Sequence, residues 1–217
     1  MRRNHTLVRI AVLAAVAVAA SSPSLAYRMI QNASVGRVSA GAQVACNASG
    51  GFVHWTNANI AWYLNTSGQG SGKQTAIQNA LASWTNVPSA NHNLSYAGTS
   101  TKGFVTDGQN TMLWARGNGC NGSCLAITAL VLASGQVITE TDISFNSRYK
   151  WNTNGSNYDT QAVATHEVGH ALGIHHTEIT GTPRPTMYAS YFGTDGRTLE
   201  GDDQSALQCA QSRYPLP

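Results

Sequence analysis

Hydrophobic residues recur at two spacings along the chain, and together these spacings predict a domain built from both strands and helices. Short apolar runs separated by polar turns are typical of strands, and they lie at Ile60–Leu64, Leu94–Tyr96, Thr111–Ala115, Ala126–Ala133 and Val137–Phe145. Apolar residues at helical spacing predict an amphipathic helix over Gly72–Asn86, which Pro88 ends. Two later helices are expected to begin after the N-cap residues Asp159 and Asp202.

Residues 1–26 have the features of a secretory signal peptide. Three arginines precede or border an unbroken apolar run, Ile10–Ala20. Ser24 and Ala26 place small residues at the two positions that a signal peptidase reads, so cleavage is expected after Ala26. The apolar run is shorter than the roughly 20 residues that a spanning helix needs, which argues against a membrane anchor.

Length and charge predict one secreted domain after this segment is removed. The formal net charge of the full chain is +3, and loss of the three arginines brings it close to zero. Nothing in the sequence argues for a nucleic-acid groove, and no later apolar run is long enough to cross a membrane. We expect an extracellular monomer in which residues 27–51 form an N-terminal arm or short pro-segment and residues 52–217 form the domain.

Four cysteines, an even number in a chain predicted to be exported, favour two disulfides. Cys120 and Cys124 bracket a short flexible linker and are expected to close a small ring. The other pair, Cys46 with Cys209, would then join the N-terminal region to the C-terminal helix. Two further connectivities stay open. A zinc site built from cysteines is disfavoured because the C-x3-C spacing lacks a second pair.

The most informative stretch reads HEVGHALGIHH and begins at His166. Residues four apart leave the same face of a helix, so His166 and His170 can share one metal ion. Glu167 lies beside the first ligand, where its carboxylate can hold a water molecule. Gly173 can end the helix in the left-handed conformation and bring back His176 as a third ligand. Three protein ligands with an open fourth position are the arrangement of a catalytic zinc site.

The complete spacing H-E-x-x-H-x-x-G-x-x-H is the signature of the metzincin zinc peptidases. His175 is a competing third ligand, but it lies one residue early and is interpreted as a loop histidine. The order of elements from about Val53 to Tyr214 resembles the matrixin branch of this group, which contains the matrix metalloproteinases. Met187, in the string Pro-Thr-Met-Tyr, resembles the methionine turn of that branch, and Thr177 stands where matrixins usually carry Ser or Thr.

The resemblance implies an α+β fold: a twisted, mostly parallel sheet with an antiparallel edge strand, packed on two long helices, plus a C-terminal helix. It implies one catalytic zinc ion, with Met187 as a hydrophobic floor beneath it rather than a ligand. It also implies that Tyr188 and Tyr191 help to wall the pocket that receives the residue after the cleaved bond.

Three departures from the family pattern are visible. The PRCGxPD cysteine switch is absent, and the surroundings of Cys46 do not match it, so a disulfide is favoured over a zinc-capping thiol. No histidine lies between His92 and His166, so the second, structural zinc site of the family is expected to be missing. Calcium is common in the family, but no calcium-loop motif is complete here; the candidate carboxylates are Asp107, Asp142 and Asp195.

These features predict a secreted zinc-dependent endopeptidase that acts on polypeptides, with Glu167 as the general base. The strand at Ala126–Ala133 is expected to form the upper rim of the cleft and to pair with an extended substrate. Two alternatives stay open: a narrow-specificity hydrolase of cell-wall peptides or another amide, and a secreted zinc-binding or adhesion module with little turnover. Glu167 argues against the module, because a metal can be held without that carboxylate.

Overall fold

A six-stranded sheet forms the centre of the part of the chain that the computed structural model describes, residues 27–39, 41–88, 90–119 and 124–216. In chain order its strands are β2 (Gly36–Val38), β4 (Asn59–Asn65), β5 (Asn93–Ser100), β6 (Asn110–Ala115), β7 (Ala126–Leu132) and β8 (Ile138–Asn146). Across the sheet they lie in the order β2-β7-β8-β6-β4-β5. All five predicted strands are therefore present, and the last is one continuous strand.

The sheet mixes strand directions in the predicted way. The pairs β8–β6, β6–β4 and β4–β5 are parallel. Strand β7 runs antiparallel to β8, and the short strand β2 adds antiparallel to the far edge of β7. The predicted α+β class is confirmed, but β2 was not anticipated. Its three residues carry too few apolar positions to be recognised as a strand without their partner.

Two helices pack against each other beside the sheet, and a third closes the domain: α1 (Gln74–Thr85), α2 (Thr160–Ala171) and α3 (Gly201–Arg213). The buried face of α1 consists of the residues predicted from helical spacing, Ala76, Ile77, Ala80, Leu81 and Trp84. The Nε1–H group of Trp84 donates a hydrogen bond of 2.8 Å to the carbonyl of Thr165 in α2. This buried bond fixes how the helix with the histidines lies against α1.

The two predicted N-caps have different outcomes. Asp159 caps α2 as expected, because its carboxylate accepts a hydrogen bond of 3.0 Å from the Ala162 N–H. The prediction for Asp202 is wrong: Glu200 is the N-cap of α3 and exchanges reciprocal side-chain bonds with Asp203. Since α3 begins at Gly201, Asp202 already lies inside its first turn.

The segment before Phe52 packs against the domain. Strands β1 (Met29–Gln31) and β3 (Ala42–Val44) pair antiparallel, and Met29 is fully buried. The Ile30 N–H donates a hydrogen bond of 2.8 Å to the carbonyl of Gly173, just after α2. The assignment of this segment as an arm or a short pro-segment stays a prediction. Its contacts reach the end of α2.

The predicted disulfide between Cys46 and Cys209 is present, with Cα atoms 6.2 Å apart and 163 residues between them in sequence. Cys46 is therefore not a free thiol that caps a metal. Cys124 is also disulfide-bonded. Because Cys120 lies outside the described residues, the second predicted pairing stays a prediction.

The predicted signal peptide, residues 1–26, also lies outside the described residues. In the part of the chain that the structure describes, no helix combines the length and the apolar character needed to cross a bilayer.

Candidate metal centre and active-site cleft

Helix α2 and the turn after it bring three histidines together. His166 and His170 lie one turn apart on the helix, with ring centroids 4.7 Å apart. At Gly173 the backbone takes a φ of +88°, and a Cβ there would lie 2.4 Å from the carbonyl oxygen of Val53. Only glycine fits this position, and the reversal it permits returns His176 to the open face of the helix.

The ligand atoms of His166, His170 and His176 all lie within 4.8 Å of one another. The Nδ1 atom of His166 is 2.7 Å from the Thr186 carbonyl oxygen, and that of His170 is 2.8 Å from the Ile174 carbonyl oxygen. A carbonyl only accepts, so each of these rings must carry its proton on Nδ1 and present the Nε2 lone pair to the centre. The donor set therefore fits one metal ion that prefers imidazole ligands.

Burial favours the neutral, metal-binding form of His170 and His176. Burial, together with the neighbouring His166, lowers the pKa of His170 well below its usual value and that of His176 to about 4. His175 lies outside the triad, and its Nδ1 atom is 2.8 Å from Nε2 of Gln43 on β3. This placement agrees with its interpretation as a loop histidine.

Glu167 lies beside the triad and is 6% exposed. Its Oε2 atom accepts a hydrogen bond of 2.6 Å from the hydroxyl of Thr128, on β7. Burial raises the pKa of Glu167, and the charge of His166 and the Thr128 hydrogen bond act in the opposite direction. Sequence reasoning did not identify Thr128, because its partner lies on a different element 39 residues away.

Met187 packs closely against α2. It is 1% exposed, and a Cβ on Gly169 would come within 2.3 Å of its sulfur, so the two are in close contact. The turn before it is held by the buried carboxylate of Asp203, which accepts hydrogen bonds from the N–H groups of Thr186 (2.8 Å) and Met187 (3.0 Å). The role of Asp203 was also missed, because it depends on α3 docking against this turn.

A cleft of about 810 Å³ opens over the three histidines. Strand β7 borders it, and Tyr188 and Tyr191 both line it, as do Ser39 and Gly41 of the N-terminal segment. The Tyr191 ring packs against that of Tyr158 at 5.3 Å, and its hydroxyl accepts a hydrogen bond of 3.0 Å from the Asp159 N–H. Tyr191 therefore contributes both to the cleft wall and to the start of α2.

The candidate calcium ligands are not gathered into one site. Asp142 pairs with Arg37 at 2.9 Å and Asp107 with Lys102 at 3.1 Å, whereas Asp195 lies in a separate 3₁₀ turn, Gly193–Arg197. Among the described residues, the histidine triad is the one group of three or more metal-binding side chains close enough to share an ion.

A largely parallel sheet beside two packed helices, with a buried glutamate next to three convergent histidines, defines the metzincin class of zinc-peptidase domains. The model of the matrixin family, peptidase M10, matches residues 54–210. The chain belongs to the matrixin family.

Curated relatives of the chain include two animal proteins and one protein of Tannerella forsythia. The chain is 37% identical to interstitial collagenase of Equus caballus over 67 residues, 31% of this chain and 14% of that protein. It is 35% identical to matrix metalloproteinase-26 of Homo sapiens over 68 residues, 30% of this chain and 25% of that protein. It is 38% identical to karilysin of Tannerella forsythia over 65 residues, 30% of this chain and 13% of that protein. The matched stretch thus covers a quarter or less of each of these relatives.

Proposed function

We propose that this chain is a secreted zinc-dependent endopeptidase. The observation that carries the proposal is the convergence of three histidines and one buried glutamate on the floor of a cleft bordered by a β-strand. Membership of the matrixin family supports the same chemistry. Secretion is inferred from the features of residues 1–26.

His166, His170 and His176 would hold the zinc ion, because their Nε2 atoms face a common centre. When bound, zinc supplies Lewis acidity, which lowers the pKa of water and polarises a carbonyl group. The carbonyls of Thr186 and Ile174 hold the first two imidazoles in the required orientation. Met187, which is buried against Gly169 of α2, would supply the hydrophobic floor below the rings.

Glu167 is the proposed general base. Its carboxylate would accept the proton of the attacking water and pass that proton to the departing amine. Thr128 occupies one carboxylate oxygen, Oε2, which leaves Oε1 free to face the water. A charge-assisted hydrogen bond of this kind restricts the rotation of the carboxylate, so the base is already oriented before substrate binds.

Strand β7 provides a surface for an extended polypeptide. Ala126, Ile127 and Thr128 line the cleft, and β2 pairs only with Leu130–Leu132. The edge of β7 beside Glu167 can therefore add a peptide strand through backbone hydrogen bonds. Recognition through the backbone suits a polypeptide substrate with tolerance for many side chains.

Hydrolysis of a quenched fluorogenic peptide library by the purified zinc-loaded protein tests the proposal. Activity should disappear on chelation and return when zinc is restored. Casein and peptidoglycan assayed in parallel separate a general endopeptidase from a cell-wall amide hydrolase. Absence of hydrolysis on all substrates by a folded, zinc-loaded protein would favour the binding-module alternative.

Thr128→Val is expected to lower kcat roughly 10- to 100-fold with little change in KM, the range for losing one hydrogen bond to a charged group. Valine keeps the branched shape on β7 but leaves Glu167 free to rotate away from the water. Steady-state kinetics on one peptide, with zinc content measured on the same samples, gives the result.

Thr128→Ser should recover most of the lost kcat, because it restores the hydroxyl. Thr141→Val is the matched control: Thr141 is a fully buried threonine of β8 whose hydroxyl has no hydrogen-bond partner among the described residues. An equal loss of activity in Thr128→Ser and Thr128→Val would remove Thr128 from this role.

Tyr191→Ala is expected to change which residue is accepted after the cleaved bond. The ring forms part of an aromatic wall with Tyr158 and Tyr188, and such a wall favours an apolar guest. Because pocket contacts of this size shift selectivity by about 10- to 200-fold, a changed profile is expected rather than an absolute switch. Digestion of a diverse peptide mixture with both proteins measures the preference.

Tyr191→Phe serves as the control, since it loses the hydrogen bond with the Asp159 N–H but keeps the ring. It should retain the wild-type preference even if its stability falls. The same preference in Tyr191→Ala and wild type, with the variant folded, would place Tyr191 in a purely structural role.

A further inference from the structure

Strand β2 pairs with only one part of the outer edge of β7, and the other part is open to the cleft. Its outer edge pairs with β2 in a three-residue register: Gly36 opposite Leu132, Arg37 opposite Val131 and Val38 opposite Leu130. Thr128, which contacts the proposed general base, lies just beyond this pairing. A strand pairs with only one neighbour on each edge, so a substrate cannot bond to Leu130–Leu132 while β2 is in place.

The N-terminal segment is held in this position by charge as well as by backbone pairing. The Arg37 guanidinium lies 2.9 Å from the carboxylate of Asp142, which is fully buried, and 3.7 Å from that of Glu140, which is 3% exposed. Its Cζ atom also stacks 4.3 Å from the ring centre of Phe104. Removing Arg37 from this position would leave two buried carboxylates without their cation, which is energetically costly.

The return path of the same segment runs beside the metal centre. Ser39 and Gly41 line the cleft, and Ile30 of β1 lines it next to them. A Cβ on Gly41 would lie 2.6 Å from the side chain of Ile30, so the turn is packed tightly onto β1. Together, residues 36–41, except Ala40, which lies outside the described residues, form a border that we call the arm edge.

The arm edge lies at the end of the cleft opposite the aromatic wall. The wall residue Tyr191 contacts Tyr158, which contacts Tyr149 with ring centres 4.9 Å apart. The Tyr149 N–H bonds to the carbonyl of Asn146, and the Asn146 N–H bonds to the carbonyl of Leu125. These contacts connect the aromatic wall to the residue just before β7, whereas β2 pairs with the last three residues of β7. The wall and the arm edge therefore lie at opposite ends of this strand.

We propose that the arm edge is a specificity-determining element that shortens the half of the cleft for residues before the cleaved bond. The inference rests on the proposed endopeptidase function and on the assignment of the aromatic wall to the residue after that bond. Extended substrates then gain backbone pairing mainly on the side after the cut. The protein is expected to favour cleavage near the N-terminal end of a peptide.

A binding series with peptides of increasing length tests this inference. The probes are fluorescent peptides with one fixed central sequence, extended by one residue at a time at either end. Fluorescence anisotropy is measured with the zinc-loaded Glu167→Gln protein, so that the peptides stay intact. Extension after the central bond should tighten binding by roughly two- to tenfold per pairing residue, the range for one net backbone hydrogen bond. Extension before it should stop adding affinity after about two residues, where the free edge of β7 ends.

Val38→Pro, made in the same Glu167→Gln background, should restore the missing gain before the bond. Proline cannot donate to a strand ladder and weakens the β2–β7 pairing, while Arg37 keeps its carboxylate partners. Arg37→Gln is a second variant that weakens the same attachment through the ion pair. Val35→Ala is the matched control, since Val35 is 72% exposed and lies outside the pairing.

Hydrogen exchange of residues 130–132 reports the structure independently of binding. It should rise in Val38→Pro and stay unchanged in Val35→Ala, with zinc content and melting temperature confirming that both are folded. Equal affinity gains at both peptide ends in the Glu167→Gln protein would overturn the arm-edge proposal. The proposal would also be overturned if the asymmetry persisted in Val38→Pro while hydrogen exchange showed that β2 is released.

Failure of the proposed function gives a different result. Peptides would then bind with the expected asymmetry while the protein with Glu167 intact hydrolyses none of them. A complete lack of peptide binding by the folded zinc-loaded protein would overturn both proposals.

Discussion

Glu167→Gln is expected to reduce peptide hydrolysis by roughly 10²- to 10⁴-fold, the range for removal of a general base. Glutamine keeps the shape of the side chain and can still accept the hydrogen bond from Thr128, but it cannot take the proton of water. The three histidines are unchanged, so zinc content and melting temperature should stay close to those of the parent protein. Rates on a fluorogenic peptide and elemental analysis of the same preparation measure both quantities.

Glu178→Gln is the matched control for this experiment. Glu178 also follows a histidine-containing stretch, but its side chain is 60% exposed and pairs with Arg28 at the surface. Its replacement should leave the rate unchanged, because an exposed ion pair contributes little. Near-normal hydrolysis by Glu167→Gln would exclude Glu167 as the general base and would require another proton acceptor in the cleft.

His176→Ala and His175→Ala are expected to differ sharply in zinc content. Removal of His176 takes away one of three ligands, so this variant should lose zinc or hold it much more weakly. The imidazole of His175 is not one of the three converging ligand groups, so His175→Ala should retain about one ion per chain. Elemental analysis after extensive dialysis gives the stoichiometry.

The same two variants should also differ in how far chelation lowers their melting temperature. A metal that binds only the folded state stabilises it, so chelation should lower the melting temperature of His175→Ala but have little effect on His176→Ala. Stoichiometric zinc in His176→Ala together with loss of zinc from His175→Ala would show that the register of the third ligand is wrong by one residue.

The interior of α1 was predictable because its hydrophobic positions follow the period of a single helix. Ala76, Ile77, Ala80, Leu81 and Trp84 need no partner to be recognised. The ends of α1 were predicted less well, because helix ends depend on weak local preferences. The helix covers Gln74–Thr85 rather than Gly72–Asn86. The N-cap prediction for Asp202 failed for the same reason, because a residue is an N-cap only if the helix begins directly after it.

The short strand β2 was not predictable from its own residues. Gly36–Val38 offers three residues of mixed polarity, and its strand conformation exists because β7 supplies the hydrogen-bond partners. Arg37 gave no signal either, since its carboxylate partners lie more than a hundred residues further along the chain. Long-range pairing of this kind leaves no local periodicity for sequence reasoning to detect.

The sequence by itself determined the histidine triad of this protein, because its parts lie within eleven consecutive residues, His166 to His176. Helical geometry places the first two histidines together, and one glycine with a fixed backbone requirement returns the third. Only the tertiary structure decided what surrounds that triad: the hydroxyl of Thr128 on Glu167, the carboxylate of Asp203 on the backbone of Met187, and the strand of residues 36–38 beside β7. These contacts join elements far apart in sequence, so the packing of the sheet, the helices and the N-terminal segment had to be known before they could be seen.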